Sequence, residues 1–91
     1  MYFVLTYDYV PDVLQKRAPH RTDHLAFARE WHAAGKIVLA GAFDPATDGA
    51  LFVFRVDSAD EVEAFVARDP YVKNGVVTGH RVRPWNVVIG N

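Results

Sequence analysis

The chain has 91 residues, about the size of one small domain, and contains no cysteine. The missing cysteines exclude disulfides, thiolate nucleophiles and cysteine-based metal sites. The formal net charge is −1, with ten basic and eleven acidic residues that occur mostly singly. This pattern is not that of a nucleic-acid-binding or membrane-binding surface.

The apolar content is high for so small a chain. Hydrophobic residues make up 51% of the sequence and aromatic residues 13%, whereas a domain of this size buries only roughly two thirds of the surface that its unfolded chain exposes. We therefore expect a subunit interface to cover the excess. No apolar run approaches the roughly 20 residues of a membrane span, so we expect a cytoplasmic protein.

The first half of the chain predicts a strand followed by a helix. Residues 2–7 are β-branched and aromatic and are apolar on both alternating faces, which is typical of a central strand. A short helical turn is expected within residues 11–17. Residues 21–34 have the helical spacing of apolar residues, at Leu25, Phe27, Ala28 and Trp31. Gly35 follows them at the position where a left-handed residue commonly ends a helix.

A hairpin follows. Residues 36–43 read as a second strand, residues 44–49 are dense in turn formers, and residues 50–56 should return beside the second strand. The returning strand is again apolar on both faces.

The rest of the chain predicts a second helix and a last strand. Ser58 and Glu61 fit a capping box, in which the serine side chain accepts from the third helical amide and the glutamate reaches back. This helix should end near Arg68. Residues 76–89 form a last extended stretch, and Pro84 marks a bulge or an edge position because it has no amide hydrogen.

The predicted order is β-α-β-β-α-β, which we treat as a single domain over residues 1–91. With right-handed crossovers this order gives an α+β fold, the ferredoxin-like plait, with a four-stranded antiparallel sheet and both helices on one face. The other face stays uncovered although its strands are apolar. We therefore expect a homodimer that forms through the open sheet face.

Two residues far apart in sequence are candidates for acid/base chemistry. His24 lies near the start of the first helix, and Asp69 comes directly after the second. An imidazole titrates near neutrality, and a carboxylate can fix its tautomer and offset its charge. The alternatives are a structural histidine hydrogen-bonded to backbone and, since Pro70 follows, a carboxylate that only caps the next turn.

Four further side chains are candidates for substrate binding. Arg21 would stand at the mouth of such a site and hold an acidic oxygen, or it is a solvated surface residue. Tyr7, Tyr71 and Trp85 would wall an apolar pocket with polar tips, or they are ordinary core or interface aromatics.

A metal site has little support in the sequence. His20 and His24 are four residues apart, a spacing that some zinc sites use, but Pro19 argues against a helix at position 20, and a third ligand is missing. No glycine-rich phosphate-binding loop occurs. We expect neither a metal nor a cofactor.

Four segments resemble the YciI-like (YCII-related) family of small dimeric α/β-barrel proteins. They run in the family's order, as Arg21-Thr22-Asp23-His24-Leu25-Ala26-Phe27, Ala34-Gly35-Lys36-Ile37-Val38-Leu39-Ala40-Gly41, Asp69-Pro70-Tyr71-Val72-Lys73-Asn74-Gly75 and Val82-Arg83-Pro84-Trp85. The resemblance implies a ferredoxin-like subunit whose sheet pairs with a partner's to form a dimeric barrel. It also implies a pocket in which a His and an Asp act together, which correspond to His24 and Asp69, and chemistry like that of a dehydrochlorinase.

Two main functional hypotheses follow. The first is a small cofactor-independent lyase or isomerase that transfers a proton on a small organic acid or phenol, with His24 as the base, Asp69 as its orienting partner and Arg21 on a substrate oxygen. The second is a dimeric module that binds or senses a small molecule in the same pocket without chemistry. A purely structural role in a larger assembly is a third.

Overall fold

The computed structural model describes residues 1–90. The elements in chain order are β1 (Tyr2–Tyr9), α1 (Val13–Lys16), a single 3₁₀ turn (Ala18–His20), α2 (Arg21–Ala33), β2 (Ile37–Ala42), β3 (Gly49–Arg55), α3 (Ala59–Arg68), α4 (Pro70–Lys73) and β4 (Val77–Trp85). No helix in this part of the chain is long and apolar enough to cross a bilayer.

The sheet has the predicted ferredoxin-like topology. Its order is β2-β3-β1-β4, and every neighbouring pair is antiparallel. The strand that opens the chain is therefore central, as its two apolar faces indicated. Pro84 lies on the edge strand β4, where a missing amide hydrogen is tolerated. The fold class predicted from the sequence is confirmed.

One face of the sheet is covered by α2 and α3. The core centres on Phe65 of α3, which is 0% exposed. Its ring centroid lies 4.9 Å from that of Phe27, 5.2 Å from those of Trp31 and Phe54, and 5.5 Å from that of Phe52. Aromatic rings of both helices and of the central strands thus form one cluster.

Residues 1–90 leave the opposite face of the sheet open. Val4, Thr6, Leu51 and Val53 alternate with the core residues on β1 and β3 and share this face. Towards the β2 edge the face becomes more exposed, with Leu51 at 36% and Leu39 at 69%. Apolar side chains on a sheet face that the described part of the chain does not cover indicate a contact surface.

Two local predictions differ from the structure. The side chain of Ser58 makes no capping hydrogen bond, and Glu61 instead accepts one from the backbone N–H of Asp57, one residue earlier, at 3.0 Å. This hydrogen bond, and to a smaller extent a second one from the Lys36 side chain, lowers the pKa of the Glu61 carboxyl. The last strand ends at Trp85 rather than near Ile89.

Gly49 provides a test of how closely β3 packs against β1. A Cβ at this position would collide with the backbone carbonyl oxygen of Tyr7, whereas a Cβ at Gly41 on the neighbouring strand meets nothing within 4 Å. We expect Gly49→Ala to lower the free energy of unfolding by about 1–3 kcal/mol and Gly41→Ala by less than about 0.5 kcal/mol. Urea unfolding of both variants at one protein concentration measures this, and equal effects would contradict the packing described.

Candidate functional site

Asp69 lies at the junction of α3 and α4 and is 0% exposed. It is the N-cap of α4: its Oδ1 accepts a hydrogen bond from the backbone N–H of Tyr71 at 3.0 Å, and Pro70 occupies the first helical position. The capping role that the Asp-Pro pair predicts is therefore present. Capping uses only part of the carboxylate's capacity to accept hydrogen bonds.

The same carboxylate joins two further elements. The distance between its Oδ1 and Nδ1 of His24, in the first turn of α2, is 2.7 Å. Its Oδ2 accepts a hydrogen bond from the hydroxyl of Tyr7, on β1, also at 2.7 Å. The structure thus brings His24 and Asp69 together although they are 45 residues apart, and it holds the carboxylate by donors from α2, β1 and α4.

The hydrogen bond to Asp69 selects one form of the imidazole. A carboxylate is an acceptor, so we assign the proton of the neutral ring to Nδ1, which leaves a lone pair on Nε2. The ring of Tyr71 stacks on His24 with centroids 3.7 Å apart and planes 3° from parallel, and Phe52 meets it edge-on at 6.3 Å. The imidazole is thereby fixed in position as well as in tautomer.

A cavity of about 330 Å³ borders this histidine. His24 and Tyr71 line it on one side, Arg17 and Arg21 contribute two guanidinium groups, and Asp44 belongs to the loop that joins β2 and β3. The volume suits a small ligand, and the lining mixes apolar surface with a few polar groups, as in binding sites generally.

The four predicted binding residues fall into different places. Arg21 and Tyr71 line the cavity. Tyr7 lies behind the site, 1% exposed, where its hydroxyl bonds Asp69. Trp85 does not reach the cavity, because it pairs with Tyr2 at the opposite end of β1 and is 49% exposed.

Tyr9 and Arg17 both line the cavity, although neither was predicted from the sequence. The available signals were short-range spacings. Tyr9 follows Tyr7 by two residues and so lies on the same side of β1, and Arg17 precedes Arg21 by four. Neither spacing is specific without knowledge of where the cavity lies.

Two tyrosine hydroxyls near the site are held in their neutral form. Burial raises the pKa of Tyr7 far above its usual value of 10.0, and the charge of Asp69 adds to this. Burial also raises the pKa of Tyr9 to about 12, against the opposing effect of Arg17 and Arg21. Both hydroxyls therefore stay protonated near neutral pH and can donate hydrogen bonds.

His20 is not among the described residues that line this cavity. It ends the 3₁₀ turn and precedes α2 as its N-cap. Among residues 1–90, no three His, Cys, Asp or Glu side chains are grouped closely enough to hold a metal ion.

The fold and the site together define a small α+β domain with a buried His–Asp pair beside a ligand-sized cavity. Residues 1–86 match the sequence model of the YCII-related domain. The chain therefore belongs to the YCII-related family, as its sequence motifs indicated.

Known proteins similar to this chain include a solved enzyme. The chain is 29% identical to 5-chloro-2-hydroxyhydroquinone dehydrochlorinase from Burkholderia phenoliruptrix, solved in complex with 2,5-dihydroxybenzoquinone, with a TM-score of 0.81 over 94% of each chain. It is also 29% identical to an uncharacterized protein from Haemophilus influenzae, over 97% of this chain and 99% of that protein. A NIPSNAP domain protein from Burkholderia xenovorans, 12% identical with a TM-score of 0.57 over 99% of this chain and 97% of the other, shares the fold alone.

The hydrogen bond from Tyr7 to Asp69 makes a prediction about stability. Tyr7→Phe removes a donor from a buried carboxylate and should lower the free energy of unfolding at pH 7 by about 1.5–3 kcal/mol. Tyr2→Phe, on the same strand but far from Asp69, serves as the matched control.

Wild type and Tyr7→Phe should also differ in how their free energies of unfolding depend on pH. The pKa of Tyr7 is higher in the folded than in the unfolded chain. The stabilisation that comes from the protonated Tyr7 hydroxyl is therefore complete below pH 10. It declines above pH 10, because there the unfolded chain releases the proton and the folded chain keeps it. The stability difference between wild type and Tyr7→Phe should therefore shrink by about 1.4 kcal/mol per pH unit above pH 10. Chemical unfolding from pH 7 to pH 11 tests this, and a constant difference would contradict it.

Proposed function

We propose that this protein is a small cofactor-independent enzyme of the lyase or isomerase type. It transfers a proton, with or without loss of a leaving group, on a small organic acid or phenol. His24 is the base, Asp69 orients it and offsets its charge, and Arg21 stabilises negative charge on a substrate oxygen. Tyr71 holds the imidazole in position, and Tyr7 supports Asp69 from behind.

In the reaction, Nε2 of His24 accepts a proton from an acidic C–H or O–H group of the substrate. The electron pair of that bond moves into the conjugated system and comes to rest on a substrate oxygen beside Arg21. An isomerase returns the proton at a second carbon. In a lyase the electron pair instead expels an anionic leaving group, and the proton and the leaving group depart in equal number, so no oxidant or reductant is needed.

One observation carries this proposal: the 2.7 Å contact between His24 Nδ1 and Asp69 Oδ1 beside a cavity that His24 lines. It leaves Nε2 as the ring nitrogen free for a ligand. The 29% identical dehydrochlorinase, whose structure contains a small dihydroxyquinone, supports the same class of substrate. A ring compound of that kind suits the volume of the cavity.

We also propose that the protein is a homodimer formed through its open sheet face. Leu51 and Val53 stand at the centre of this face, with Leu39 on the neighbouring strand. Packing two such faces together would remove these side chains from water and explain why strands of so small a domain are apolar on both sides.

The proposed reaction is tested by release of chloride from 5-chloro-2-hydroxyhydroquinone, the compound that names the dehydrochlorinase, under anaerobic conditions. We expect wild-type protein to accelerate release and His24→Gln to lose about 10²-fold or more. His80→Gln, which alters an exposed histidine paired with Glu63, is the control and should keep full activity.

Asp69→Asn separates charge from geometry. An amide oxygen can replace Oδ1 and keep the bonds from His24 and the Tyr71 backbone, while the amide nitrogen faces the Tyr7 oxygen, which can accept. The variant should therefore fold but turn over at least about tenfold more slowly, since the imidazolium loses its counter-charge. If His24→Gln and Asp69→Asn both match wild type, or if ligands bind but are recovered unchanged, a binding module is the better account.

The proposed dimer is tested by placing a charge in the open face. We expect Leu51→Glu to shift the protein from dimer to monomer in sedimentation velocity, because removing a carboxylate from water at the interface costs free energy. Leu14→Glu makes the same change at another exposed leucine, on α1, and should leave the dimer intact. A wild-type monomer at micromolar concentration would contradict the proposal.

A further inference from the structure

We propose that Tyr9, Arg17 and Arg21 form an oxyanion subsite in the same cavity, and that the substrate binds there through an oxygen that is already ionised. The substrate class is thereby narrowed to small organic anions whose charge lies on oxygen, such as ionised hydroxyquinones and enolates. This inference rests on the proposed function, since it concerns the substrate of that site.

Tyr9 reaches the cavity from the end of β1. The register between β1 and β4 shifts between Asp8 and Tyr9: Asp8 pairs with Gly79, whereas Tyr9 pairs with Val77. The extra residue, Thr78, lies on β4, so β1 keeps its alternation and Tyr9 stays on the same side as Tyr7, with ring centroids 6.3 Å apart. The ring of Tyr9 stands perpendicular to that of Tyr71, with centroids 6.1 Å apart, and Tyr71 in turn stacks on His24.

The charge of the cavity favours an anion. Arg17 and Arg21 both line it, and Asp44 is the only carboxylate among its described lining residues. None of the ion pairs found in residues 1–90 involves either arginine. Two guanidinium groups without a carboxylate partner in this part of the chain are suited to binding acidic oxygens.

Tyrosine hydroxyls add uncharged donors beside these arginines. No hydrogen bond within residues 1–90 uses the Tyr9 hydroxyl, and burial raises its pKa to about 12, so it stays a donor well above neutral pH. The Tyr71 hydroxyl is fully buried and likewise lacks a partner within the described residues. Tyr9 and Tyr71 both line the cavity, and buried polar groups are nearly always hydrogen-bonded, so the Tyr71 hydroxyl is a donor beside the cavity that is still available.

The subsite has a defined part in the reaction. When His24 removes a proton, the electron pair moves through the conjugated substrate to an oxygen. A hydroxyl that stays protonated near neutral pH and two guanidinium groups would stabilise that oxygen more strongly as its negative charge grows. Tyr9 and Arg17 therefore bind the ground-state anion and contribute further in the transition state.

Binding of 2,5-dihydroxybenzoquinone, a coloured acid that is ionised at neutral pH, tests the inference without any turnover. We expect titration calorimetry to detect binding of this acid to wild-type protein. Its dimethyl ether has the same ring but no acidic hydroxyl and should bind at least about tenfold more weakly. Tyr9→Phe and Arg17→Gln should each weaken binding of the acid by about tenfold. Binding of the dimethyl ether should not change in either variant.

Matched controls make the test specific. Tyr2→Phe and Arg29→Gln remove the same groups from β1 and α2 outside the cavity and should bind the acid as wild type does. Wild-type binding of both quinones alike, unchanged binding in Tyr9→Phe and Arg17→Gln, or no binding of the acid at millimolar concentration would each overturn the subsite.

Failure of the subsite is distinguishable from failure of the proposed function. If His24→Gln abolishes turnover while Tyr9→Phe and Arg17→Gln bind the acid normally, the reaction stands and the subsite is wrong. If Tyr9 and Arg17 govern binding but His24→Gln turns over as wild type does, the subsite stands and the assigned base is wrong.

Discussion

The site depends on one buried carboxylate and its three hydrogen-bond donors. Asp69 accepts from His24, from Tyr7 and from the backbone of Tyr71, so α2, β1 and α4 meet at a single group. A carboxylate is very costly to bury unless its oxygens are paired. The elements that satisfy it are therefore held in register, and the imidazole is fixed as a consequence of the same bonds.

Much of the fold follows from patterns within short stretches of sequence. Apolar spacing from residue 21 onward, the Gly35 that ends α2 with a positive φ, and Pro70 after α3 each act locally. The two apolar faces of β1 indicate its central position in the sheet. These signals are local, so they can be read without knowing the tertiary structure.

The site was only partly readable in this way. Residue type and family motifs pointed to His24 and Asp69, but the direction of neighbouring side chains depends on tertiary packing. Alternation along β1 puts Tyr7 and Tyr9 on one side of the strand. Only the packed structure shows that the Tyr7 hydroxyl bonds Asp69 whereas Tyr9 lines the cavity. Trp85 illustrates the same point, since strand register carries it to the far end of the sheet.

The most direct test of this account is the protonation pattern of the His24 ring, measured by long-range nitrogen–proton NMR correlation at a pH where the ring is neutral. The account predicts a proton on Nδ1, hydrogen-bonded to Asp69, and a bare Nε2. A proton on Nε2 in the neutral ring would contradict it, because the lone pair would then lie on Nδ1, which faces Asp69 and not a ligand.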